Sequence, residues 1–197
     1  MPPGTGSAVI LAGGMGKRIG YDKKEIVLAG EKLIDRLIER LGACFAEIIV
    51  SSNTPFARSG VITVRDELGE GPLAGIYSAL KTARNDSVYV CACDMPFVSA
   101  RGIGNLRKII ASGRYGAAAY RRADGFIEPF GAFYHKSALS AMEEQLKHGD
   151  YKMSRLLSKL DLYCENCDEI EYEKEFFNIN YAEDLFRAAD MNAVLER

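Results

Sequence analysis

Several scarcities in this 197-residue sequence each close off a class of protein. No apolar run approaches the length of a membrane span, which argues against an integral membrane protein. Neither charge sign is in excess: 25 Lys and Arg stand against 27 Asp and Glu, for a net charge of -2. Without a global positive field the chain has little means of holding a nucleic-acid backbone. The opening Met-Pro-Pro-Gly-Thr-Gly-Ser carries no basic n-region and no apolar h-region, so a cytoplasmic protein is expected. Cysteines number five, an odd count that does not suit a disulfide framework. Cys91 and Cys93 lie in an apolar run and read as small buried hydrophobes. Cys164 and Cys167 have the spacing of a metal or redox pair, but no second such pair accompanies them, so they read as a loop between two late strands. His135 and His148 have no motif around them; the first is expected to start a helix and the second to end one as a cation. Repeats, low-complexity tracts and domain linkers are lacking, so residues 1–197 are expected to form a single domain, with 1–6 flexible.

What the sequence does have is a strand joined to a glycine loop. Apolar residues 8–11 look like a parallel strand covered on both faces. Gly13, Gly14, Gly16 and Gly20 follow, with Lys17, Arg18 and Lys23 among them. Glycines let a loop turn its backbone N–H groups inward, and the cations add mobile positive charge, a combination suited to nucleotide phosphates. A Walker loop is excluded because no Ser or Thr follows a Gly-Lys pair. A dinucleotide fingerprint is disfavoured as well: Gly14-Met15-Gly16 begins one, but Ile19 stands where its third glycine belongs.

Further apolar runs alternate with helical segments, the pattern of an α/β fold with a Rossmann-like, doubly wound, mostly parallel sheet. Candidate strands are 8–11, 47–51, 62–64, 87–92, 116–120 and 129–134. Helices are expected over 32–41, 72–83, 100–111, 136–148, 152–159 and 181–195. The first places Leu33, Ile34, Leu37, Ile38 and Leu41 on one face. Pro72 suits the first position of the second, and Ser99 can cap the third. Residues 113–134, with Arg121, Arg122, Asp124 and Gly125 at a polar turn, are expected to form a small β-hairpin insertion.

In such a sheet ligands sit beyond the carboxyl ends of the strands. Asp94 follows the fourth apolar run and precedes Met95-Pro96, so its carboxylate is either a Mg²⁺ ligand at a strand tip or a turn-forming residue; the facing cationic loop favours the metal. Asn53 and Asp66, after the second and third runs, can be ordinary loop residues or readers of a guanine edge. Gly71-Pro72-Leu73-Ala74-Gly75 is either loop punctuation or a surface where small residues and a fresh helix N-terminus meet a nucleotide.

Taken together these residues resemble the molybdenum cofactor guanylyltransferase family, of the nucleotide-diphospho-sugar transferase-like fold. That family's LAGGxxxRMGxDK resembles residues 11–23, its GPLAG residues 71–75, its CDxPF residues 93–97 and its NxNTPED residues 178–184. The resemblance implies GTP contacts from Leu11, Ala12, Gly13, Gly14, Asn53, Asp66, Gly71, Pro72 and Leu73, phosphate binding and catalysis by Arg18 and Lys23, and Mg²⁺ on Asp94. Asn178 and Asn180 would lie near the acceptor side or the metal. The implied substrates are GTP and molybdopterin or the molybdenum cofactor, with downstream molybdoenzymes or their chaperones as partners. Gly13 and the GPLAG run favour guanine over cytosine. Ile19, Tyr181-Ala182 and Glu128-Pro129 depart from the family pattern, the last in a region that lies toward the acceptor. Two alternatives stay open: cytidylyl or uridylyl transfer to another phosphorylated acceptor, and a non-catalytic nucleotide-binding protein that delivers cofactor.

Overall fold

The computed structural model describes residues 4–13, 23–167 and 174–195. Its centre is β1 (Ser7–Leu11), buried along its whole length and bonded in parallel to β4 (Glu47–Ser51) on one side and β6 (Ser87–Ala92) on the other. Outside β4 lies β5 (Val61–Val64), also parallel. On the far side β8 (Ala132–His135) runs antiparallel to β6 and to β7 (Ala117–Arg122), and β9 (Leu162–Cys167) closes the edge parallel to β7. Among the described residues the strand order is β5-β4-β1-β6-β8-β7-β9. The antiparallel pair expected between 113 and 134 is present, and both its strands are built into the central sheet rather than appended to it.

Strand alternation assigns side chains to two faces. Ala8 and Ile10 join Tyr89 and Cys91 beneath α1 (Leu33–Gly42) and α3 (Ala100–Ile110). Val9, Leu11, Val88 and Val90 pack under α2 (Pro72–Thr82), α4 (Leu139–Lys147) and α5 (Met153–Lys159). Helix α1 buries the five apolar residues its spacing predicts, and it begins at Leu33 because Lys32 belongs to a short strand. Ser99 caps α3 as expected, its hydroxyl accepting from the Gly102 N–H at 3.0 Å. On the first face Phe45, Tyr89 and Phe133 form an aromatic cluster with ring centroids 5.2–6.2 Å apart, covered by the Arg107 guanidinium 4.3 Å from the Phe45 centroid.

Two features were not expected from the sequence. A small hairpin pairs β2 (Val27–Leu28) with β3 (Glu31–Lys32) through Ala29 and Gly30, whose φ values of 52° and 84° are those of a tight type I′ turn. Ile26, Leu28 and Leu33 there pack with Phe97, Ile179 and Ala188, tying the hairpin to the C-terminal helix α6 (Ala182–Leu195). The second is β9, which holds Cys164 and Cys167 in a strand rather than the expected loop. Residues three apart in a strand point to opposite faces, so the pair cannot clamp one metal ion. Among the described residues no helix is long and apolar enough to cross a membrane.

Candidate active site

The parallel ladder continues one residue past β1: the Ala12 N–H donates to the Ser51 carbonyl at 2.8 Å, and the Cys93 N–H to the Leu11 carbonyl at 3.1 Å. Beyond that level the chains diverge into loops. A cavity of about 400 Å³ opens there, and Leu11, Gly13, Pro72, Asp94, Asn178 and Asn180 line it. Residues from four separate parts of the sequence thus meet at the strand ends.

Asp94 is 3% exposed and sits just past β6. Its backbone carbonyl accepts the Ile179 N–H at 3.0 Å, which draws residues 178–180 across the end of the sheet. There the Asn178 side-chain amide donates to the Phe176 carbonyl at 2.8 Å. One Asp184 carboxylate oxygen accepts from the Asn180 and Tyr181 N–H groups, each at 2.9 Å. That contact serves the start of α6 although Tyr181-Ala182 stands where Thr-Pro is usual in the family.

Two glycines press this C-terminal segment into place. A Cβ on Gly131 would lie 2.8 Å from a ring carbon of Phe176, and one on Gly102 would lie 2.2 Å from a carboxylate oxygen of Glu175. The chain before Asn178 is therefore docked against backbone that bears no side chain.

At the head of α2, Gly71 precedes the helix with φ 89° and Pro72 occupies the first turn, while Leu73 is fully buried behind. Ala12 is likewise buried. Asn53 and Asp66 do not line the cavity; they sit beside it, past Leu11 and Gly75. The Asn53 amide donates to Asp66 Oδ2 at 2.9 Å, and the Asp66 N–H returns a bond to Asn53 Oδ1 at 3.1 Å. A Cβ on Gly75 would lie 2.5 Å from Ser51 Oγ, 3.1 Å from Leu11 Cδ2 and 3.4 Å from Asp66 Oδ1, so a side chain here would collide with Ser51 and press on Leu11. Burial pushes the Asp66 carboxyl above its usual range, with the charge of Glu70 adding to it, while the bonds from Asn53 and Ser51 hold it back.

The expected phosphate grip falls largely outside the described residues: Gly14 and Arg18 lie there, and so does the side chain of Lys23, which opens the 3₁₀ turn Lys23–Glu25. Lys24 is 6% exposed, and its ammonium donates to Ser52 Oγ at 3.3 Å, to Thr54 Oγ1 and to the Pro55 carbonyl at 3.4 Å. This lysine fastens the loop after β4.

Arg122, Phe126, Glu128, Pro129 and Phe130 complete the cavity wall, and none of them was among the expected site residues. Arg122 Nη1 donates to Glu128 Oε1 at 3.2 Å. Burial raises the Glu128 carboxyl above its usual range, and the nearby Arg122 charge and hydrogen bond oppose that shift. The available sequence signals were the polar run 121–125 and the departure at Glu128-Pro129.

Among the described residues no group of three or more His, Cys, Asp or Glu could hold a metal ion. The buried Asp94 carboxylate at the cavity still fits Mg²⁺, which takes one or two protein carboxylates and completes its octahedron with phosphate oxygens and waters.

A mostly parallel sheet whose strand ends set a carboxylate, a glycine and a helix N-terminus around one cavity is the frame of a nucleotidyltransferase. The family profile described as MobA-like NTP transferase domain matches residues 8–163. Molybdenum cofactor guanylyltransferase of Syntrophotalea carbinolica is 38% identical over 187 residues, covering 91% of this chain and 89% of that protein. A probable molybdenum cofactor guanylyltransferase of Peptoclostridium acidaminophilum is 34% identical over 191 residues, covering 91% and 86%. The crystal structure of molybdopterin-guanine dinucleotide biosynthesis protein A from Archaeoglobus fulgidus superposes with a TM-score of 0.84 at 28% identity, over 95% of this chain and 99% of that one. The chain belongs to the molybdenum cofactor guanylyltransferase family.

Proposed function

We propose that this protein transfers GMP from GTP to the terminal phosphate of molybdopterin or the molybdenum cofactor in a Mg²⁺-dependent reaction. A phosphate oxygen of the acceptor attacks the α-phosphorus in line, the bond from α-phosphorus to the β-phosphate oxygen breaks, and pyrophosphate leaves. The acceptor oxygen is already anionic, so no general base and no covalent enzyme intermediate are required. Catalysis is then positioning and charge neutralisation.

The observation that carries this reading is the convergence of Asp94, Gly13, Pro72, Asn178 and Asn180 on one cavity at the strand ends. Asp94 would hold Mg²⁺, whose chemistry there is to offset the charge of the triphosphate. Gly13, and Gly14 beyond it, would let phosphates approach the backbone, and the N-terminus of α2 would favour the same negative charge. Arg18 and Lys23 would grip the triphosphate, each charge-assisted bond contributing about 1.5–3 kcal/mol. Asn53 and Asp66 would read guanine, the carboxylate accepting from N1–H and the exocyclic amine. Asn178 and Asn180 would orient the acceptor.

Pyrophosphate release, followed with GTP, CTP and UTP in the presence of Mg²⁺ and molybdopterin, tests the assignment. GTP alone should support turnover, and Asp94→Ala should lower it by at least about a hundredfold while the melting temperature stays near wild type. Release with CTP or UTP but not GTP would overturn the guanylyl reading, and a folded wild type that turns over none of the three would leave a delivery role.

A further inference from the structure

Guanine and pterin display the same hydrogen-bonding edge, a ring N–H beside an exocyclic amine and next to a carbonyl. A carboxylate is the natural partner for the two adjacent donors, since its oxygens accept both at once. Two such carboxylates flank the strand-end cleft. Asp66 follows β5 toward one edge of the sheet, and Glu128 stands between β7 and β8, on the other side of β1 and β6.

Glu128 has the attributes of a ligand-reading group. It lines the cavity although it is only 7% exposed, and its Arg122 partner occupies one lone pair of Oε1. Burying a carboxylate is unfavourable unless donors surround it, so a ligand that brings two N–H groups would complete its shell. Beside it on the same wall, Phe126 is 52% exposed, a large aromatic side chain left open at the cavity. An apolar ring that stays uncovered at the mouth of a polar site offers a flat heterocycle a stacking surface. Arg122, half exposed, adds a cation for an anionic tail.

We infer that the β7–β8 turn forms the acceptor's heterocycle subsite, in which Glu128 accepts the N–H and amine edge of the pterin and Phe126 covers its ring face. This inference rests on the guanylyl-transfer reading for the identity of the acceptor. It divides the recognition of two rings with one shared edge between two carboxylates, Asp66 for the donor and Glu128 for the acceptor.

Steady-state kinetics with GTP and molybdopterin test it, using wild type, Glu128→Gln and Phe126→Ala. The amide of Glu128→Gln opposes a donor to a donor, so KM for molybdopterin should rise roughly tenfold to a hundredfold, with KM for GTP within about twofold of wild type. Phe126→Ala should raise the same constant less and leave stability unchanged, since this side chain lies at the surface; it decides the matter alone if Glu128→Gln does not fold. Free pterin should compete with molybdopterin on the wild type better than lumazine, which has a carbonyl in place of the amine, and Glu128→Gln should lose that preference. An unmoved molybdopterin KM, a rise that falls on GTP instead, or equal inhibition by the two heterocycles would overturn the inference. A wild type without turnover on GTP and molybdopterin would instead remove the functional reading beneath it.

Discussion

Asp66 and Gly75 show how much rests on single atoms at this site. Because Gly75 lacks a Cβ, Ser51, Leu11 and Asp66 can crowd against its backbone, and the half-buried Asp66 carboxylate has its pKa raised by that burial. The sign of the consequence follows from linkage. A carboxyl whose folded-state pKa is raised takes up its proton early as the solution is acidified, so the ionised form costs stability near neutrality and that cost is relieved as pH falls through the raised value. Binding moves the other way, because a protonated Asp66 accepts fewer hydrogen bonds. KM for GTP should therefore begin to rise while the pH is still above the usual carboxylate range. Asp66→Asn, which does not titrate there, should show a higher KM at neutrality and lose this rise on acidification. Measuring KM for GTP against pH in both proteins checks it; parallel profiles would remove Asp66 from the guanine site.

Elements with strong local signals are legible in the sequence alone. The buried run of β1, the five-residue apolar face of α1, the Ser99 cap and Pro72 at the head of α2 each follow from near-neighbour chemistry. Legibility fails where the determinant is distant. Strand β9 reads Leu-Tyr-Cys-Glu-Asn-Cys, without the alternation that marks a half-buried strand, and its pairing partners lie more than forty positions earlier, from Ala117 to Arg122. The β2–β3 hairpin has two-residue strands and hides its turn behind Ala29, a residue that rarely takes positive φ. The segment 174–180 owes its place to sockets at Gly102 and Gly131, and this can be tested. Gly131→Ala combines a positive φ of 69° with a clash at Phe176, whereas Gly125→Ala meets φ 86° in open space. Each should lose about 1–2 kcal/mol to backbone strain, and Gly131→Ala about 1–3 kcal/mol more to overpacking. Denaturant unfolding gives both values, and equal losses would show that the Phe176 contact carries no weight.

For the molecule as a whole, the two ends of the sheet have different duties. At the strand starts, far from the cavity, Ser7 Oγ donates to Glu47 Oε2 at 2.5 Å, the Arg84 N–H donates to the same oxygen at 3.0 Å, and Asn85 donates to Ser7 at 2.9 Å. Glu47 is 7% exposed, so its partners hold a buried charge. Ser7→Ala should cost about 1–3 kcal/mol of stability, visible as a lower melting temperature, and leave KM for GTP and for the acceptor unchanged. A kinetic defect at unchanged stability would contradict this division. The alternating pattern of strands and helices foretold the doubly wound sheet because it is repeated along the whole chain. The cavity wall made by Arg122, Phe126 and Phe130 was not foretold beyond the placing of Glu128-Pro129 toward the acceptor, since it exists only after β8 inserts between β6 and β7.

That insertion has an evolutionary corollary. Gly13, Pro72 and Asp94 follow or face parallel strands whose helices also make the core, whereas residues 122–128 form the turn between β7 and β8, two strands that pair antiparallel within the sheet. On the inferred division of the site, selection can rebuild that turn without unsettling the body, so a descendant could acquire a different clientele and keep the same nucleotide.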